Sequence, residues 1–78
     1  MARDYYAEAK ELTVLLEREG LAEEARTLVH AIADGATATE ILMAIRWHLE
    51  RIDTPKFKLA PQTRARVREL RQAIAVAL

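Results

Sequence analysis

The sequence predicts an all-α domain, a compact bundle of four helices, on three observations. Apolar residues recur every three or four positions in four separate stretches, the repeat that gathers side chains on one helical face. Helix formers dominate, with 51% hydrophobic and 31% charged residues, and only two Gly and two Pro interrupt the chain. Those four interruptions fall between the stretches or at their edges, and no alternating strand pattern appears.

The first helix is expected over about 3–19, with Tyr5, Ala9, Leu12, Leu15 and Leu16 on its inner face and Gly20 at its end. The second runs from about 22 to 34. Leu21, Ala25, Leu28, Val29 and Ile32 form its stripe, and Glu23 and Glu24 suit the positive end of its dipole. So short a link makes the first two helices a hairpin or a sharply angled pair.

Gly35 is expected to close the second helix in the left-handed conformation. Thr37 and Glu40 then have capping-box spacing. The third helix follows over about 38–53, with Ala38, Ile41, Leu42, Ile45, Leu49 and Ile52 inward, and it is expected to lie centrally. Pro55 disfavours helix at Thr54. Between Thr54 and Ala60, Phe57 and Leu59 alternate with lysines and are expected to dip into the core. Pro61 suits a first helical turn. The fourth helix spans about 61–77, with Thr63, Val67, Leu70, Ile74 and Ala77 inward.

Seventy-eight residues read as one domain, 1–78, with a modest core. There is no cysteine, hence no disulfide framework and no cysteine-based zinc site. No signal pattern and no run near the ~20 apolar residues of a membrane span is present, so a cytoplasmic location is expected. Zero net charge hides an asymmetry. Residues 1–53 carry six Lys/Arg and eleven Asp/Glu, and residues 54–78 carry six Lys/Arg and Glu69 alone. The halves are expected to attract each other within one fold or dimer; the other reading is a basic end that binds an anion.

The third helix has two apolar sides. At ~100° per residue, Met43 and Trp47 lie about 160° from Ile45 on either side. Either another segment, the Phe57–Leu59 stretch or the fourth helix, covers that second face, or it is an exposed anchor for a partner. Trp and Met are enriched at interfaces. Tyr6 and Val14, off the core row of the first helix, would extend the surface, and a symmetric homodimer around Trp47 is one form of it.

Arg64, Arg68 and Arg71 form a row beside the core row of the fourth helix, with Arg66 on the other flank. Such a row could track phosphates. It lacks amide clusters for base edges and aromatics for stacking, so pairing with Glu8, Glu11, Glu23 or Glu24 is the stronger expectation. His30 and Asp34 are half of a metal site at most, since zinc takes three or four ligands; His48 flanks the core row. No glycine-rich phosphate loop, nucleophile elbow or H-E-x-x-H is present. Helices this small are expected to leave no substrate pocket of ~300 Å³ or more.

The expected function is a small, non-enzymatic protein–protein interaction module without cofactor, metal or small-molecule substrate. It would act by burying Met43 and Trp47 against a protein partner or a second copy. Partner-neutralising proteins such as bacterial immunity proteins or antitoxins share this size and acidic first half, an analogy of size and charge only. The alternative is a nucleic-acid-associated regulator using Arg64, Arg68 and Arg71.

Overall fold

A computed structural model describes residues 3–78. They fold as four helices: α1 (Tyr5–Arg18), α2 (Ala22–Asp34), α3 (Ala38–Ile52) and α4 (Pro61–Ala77). The bounds agree with the periodic stretches to within the fraying of helix ends.

Local chemistry starts and stops α1 and starts α3. The Asp4 carboxylate accepts from the Ala7 N–H at 3.0 Å and opens α1. Gly20, at φ 82°, closes it. Its N–H donates to the Glu17 carbonyl and that of Leu21 to the Leu16 carbonyl, the paired bonds of a Schellman turn. The Thr37 hydroxyl accepts from the Glu40 N–H at 3.1 Å and opens α3. This is one half of the capping box; no return bond from the Thr37 amide to the Glu40 carboxylate forms among the described residues.

Gly35 departs from expectation. Its φ is −71° and its ψ 139°, extended rather than left-handed. The need for glycine is steric instead: a Cβ here would lie 2.1 Å from Ile41 Cγ1. The α2–α3 turn is tight because Ile41 packs against the bare backbone.

The helices form a ring of neighbours: α1 packs on α2, α2 on α3, α3 on α4, and α4 back on α1. The expected central place of α3 is therefore not found; α1 and α3 stand at opposite corners. Each helix sends one row inward, represented by Leu12 and Leu16, Leu28, Ile45 and Leu49, and Leu70 and Ile74, all essentially closed to solvent. Tyr5, Leu15, Leu21, Ile32, Ile41, Leu42 and Leu59 pack around that core. A corner helix needs only a narrow inward row, so stripe residues at its flank or ends stay outside. Val29 is 45% exposed, and Ala38 and Ala77 are exposed as well. No helix among the described residues is long and apolar enough to cross a membrane.

The start of α4 depends on another helix. Ala60 precedes it and offers no capping side chain. The carboxylate of Glu19, at the end of α1, accepts from the Ala60 N–H at 2.6 Å and from the Thr63 hydroxyl. A negative group at that end of α1 works against the α1 dipole, and at the start of α4 it works with the α4 dipole. One side chain thus ties the first helix to the last.

Candidate functional site

The second face of α3 is open. Trp47 is 53% exposed and Met43 54%, one turn apart on the side away from Ile45. Of the two segments that might have covered them, neither does. Leu59 joins the core margin, but Phe57 turns aside and becomes a wall of the groove that Trp47 also lines.

That groove has a volume of about 750 Å³. Trp47, His48 and Phe57 supply its aromatic surface, Glu23 and Glu24 its rim on α2, and Arg51 and Lys56 its cations. The expectation of no sizeable pocket is thus corrected. The first turn of α2 and the α3–α4 link stand apart enough to leave a trough beside α3.

The indole is held in place although it is exposed. The Arg51 guanidinium lies 4.7 Å from its centroid, and the His48 ring meets it edge-on at 4.9 Å. Lys56 Nζ lies 5.6 Å from the Phe57 centroid. His48 is half-buried; burial, and then the charge of Arg51, push its pKa below the usual histidine value. Both effects favour the uncharged imidazole beside Arg51.

Tyr6 and Val14 do not belong to this surface. Tyr6 packs against the core margin. Val14 is 47% exposed, but on α1, at the corner opposite α3, and neither residue lines the groove.

The arginine row is built differently. Arg64, Arg68 and Arg71 converge on one acid, Asp53, which follows α3. Arg64 Nη1 donates to Oδ1 at 2.8 Å, Arg68 Nε lies 3.1 Å from both carboxylate oxygens, and Arg71 Nη2 lies 3.9 Å from Oδ2. Arg64 Nη2 also donates to the Phe57 carbonyl at 2.6 Å, pinning the α3–α4 link. Asp53 is 10% exposed at its side chain. Burial alone would raise its pKa, but hydrogen bonds from Arg68 and Arg64, with their charges, outweigh it and hold the carboxyl below the usual range. The expected partners Glu8, Glu11, Glu23 and Glu24 are replaced for this row by Asp53, because α4 packs beside α3 and the row faces its end.

Other charges pair between α1 and α4. Arg66 meets Glu11 at 3.3 Å, and Arg3 bridges Glu8 and Glu69 at 2.6 and 3.1 Å. The attraction between the acidic and basic parts of the chain is therefore largely spent inside the fold. Glu23 and Glu24 have no ionic partner within 4.0 Å among the described residues.

His30 Nδ1 lies 3.6 Å from Asp34 on an exposed surface. No group of three metal-ligating side chains occurs among the described residues. The chain has neither Ser nor Cys, and the hydroxyl of Thr27, in the groove, donates to the Glu23 carbonyl at 2.9 Å. The groove offers shape, aromatic surface and charge.

The sequence singles out neither Asp53 nor Glu19, yet each ties two elements together. The only signal for Asp53 was the i, i+4, i+7 spacing of the three arginines, which puts them on one face where a single acid can meet all three. Glu19 left none. Comparison with family models, with curated proteins and with solved structures found no match for this chain.

Proposed function

We propose that this chain is a non-enzymatic protein–protein interaction module that works by burying the outer face of α3, centred on Met43 and Trp47. The observation that carries the reading is the half-exposed indole, fixed by Arg51 and His48 beside a groove. A pre-positioned Trp loses little side-chain freedom on docking, which leaves more of its burial free energy for affinity. Glu23 and Glu24 on the groove rim would set partner choice through charge. Of the four acids Glu8, Glu11, Glu23 and Glu24 on the first two helices, these two remain available, because Glu8 and Glu11 already pair within the chain.

Quenching of Trp47 fluorescence tests this. Trp47 is the sole tryptophan, so the signal has one source. The dilute chain is expected to show an accessible indole that becomes shielded when a partner or a second copy binds. An indole shielded at every dilution would overturn the reading.

A phosphate-binding role for Arg64, Arg68 and Arg71 is the second reading. Three guanidinium groups around one carboxylate leave an excess of positive charge, and Arg68 is largely exposed. Labelled duplex titrated across a salt series tests it; no shift at low salt removes it.

A further inference from the structure

We infer that the occupant of the α3 face is a second copy of this chain, docked by antiparallel pairing of α3 with α3 about a two-fold axis that passes between Met43 and Trp47. The inference rests on the interaction reading above and names the partner.

The outer row of α3 is Glu40, Met43, Trp47 and Arg51, spaced three, four and four residues apart, so the four side chains run along one side of the helix. At 1.5 Å rise per residue the row is about 16 Å long. Its two apolar members lie in the middle and opposite charges lie at its ends. A two-fold interface requires that residue i meets j while j meets i. Placing the axis midway between Met43 and Trp47 lays Trp47 on the partner's Met43. It brings Arg51 level with the partner's Glu40, and repeats both contacts in reverse. Antiparallel packing also sets the two helix dipoles head to tail.

Three further observations favour a copy over a partner of one dominant charge. Neither Glu40 nor Arg51 has an ionic partner within 4.0 Å among the described residues. The neighbouring pair Arg46–Glu50 is closed on itself at 3.4 Å. The chain as a whole carries no net charge at pH 7, so copies approach without long-range repulsion. The groove has mixed signs as well: Glu23, Glu24, Glu50, Arg51 and Lys56 all line it. A strongly basic or acidic partner would meet like charges there, whereas a copy brings both.

The test is a charge swap read by sedimentation equilibrium, with circular dichroism to confirm that each variant stays helical. Wild type is expected to dimerise reversibly with rising concentration, and Trp47→Ala to abolish this. Glu40→Arg or Arg51→Glu alone places like charges together twice per dimer and is expected to weaken association about fivefold or more. Both placements also suit the α3 dipole, so the decisive reading is rescue. The double variant, and an equimolar mixture of the two single variants, are expected to recover association to within about twofold of wild type.

A wild type that stays monomeric at the highest concentration overturns the second-copy inference and leaves the docking surface to another partner. A dimer indifferent to Trp47→Ala overturns the inference and the α3 reading together. A dimer that needs Trp47 but is not rescued by the swap overturns the antiparallel two-fold register alone.

Discussion

The arginine side of α4 and the tryptophan side of α3 both read as surface rows beside a core stripe, yet the fold treats them oppositely. Arg64, Arg68 and Arg71 turn to the chain's own Asp53 and fasten the end of α3 and the α3–α4 link onto α4. Met43 and Trp47 stay about half exposed among the described residues. The difference shows that a charged row can be consumed internally by one well-placed acid. A large apolar pair at a corner of a four-helix ring requires a whole surface, and the four described helices are all engaged in the ring.

The sharpest way to break the contrast is to empty the polar side. Asp53→Ala leaves three guanidinium groups near one another with no carboxylate between them. Unfolding by urea is expected to show a loss of about 2–3 kcal/mol, at the low end for a broken buried ion pair because Arg68 is exposed. The pH dependence follows with a definite sign. The folded Asp53 carboxyl lies below its unfolded value, near 3.9 for a free aspartate. Its contribution is complete above that unfolded value and disappears as pH falls through the folded one. Glu8, lowered by its hydrogen bond from Arg3, titrates with the same sign. His48 is also lowered, so a milder loss begins as pH falls below about 6.5. Asp53→Ala is expected to shrink the acidic step to the part that Glu8 carries and leave the His48 step in place.

Gly35→Ala comes next, at about 1–3 kcal/mol, because its Cβ meets Ile41 at 2.1 Å and the α2–α3 turn must open. A shift of the Trp47 environment in the fluorescence spectrum would accompany the opening. Glu19→Ala is expected to cost about 1–2 kcal/mol through the lost cap of α4, read as an earlier urea midpoint. Trp47→Ala should be the mildest change in a dilute, single chain. It forfeits under about 1 kcal/mol, mainly the stacking with Arg51 and His48. A large loss there would mean that Trp47 serves the core after all, and the contrast between the two sides would collapse.

Local rules made most of the fold legible. Apolar spacing located α1 to α4, Gly20 and Thr37 marked a stop and a start, and the core rows are largely those the spacing implies. The openness of Met43 and Trp47 was legible only as one of two choices. The errors share a cause. Gly35 looked like a left-handed cap because that is the commonest local use of glycine after a helix, whereas its role depends on the side chain of Ile41 folded back over it. Phe57 alternates with lysines as a core residue would, but the Arg64 bond to its own carbonyl holds the link so that the ring lines the groove.

The amino-acid sequence alone settled which segments are helical and which residues are apolar on each, since propensity, periodicity and caps act within one turn of the chain. Tertiary packing alone decided that Glu19 starts α4 from 41 positions away, that Asp53 gathers three arginines, and that α3 occupies a corner rather than the centre. Those outcomes depend on which rows face each other, and that choice is made by burial of the combined core, a property no single helix possesses.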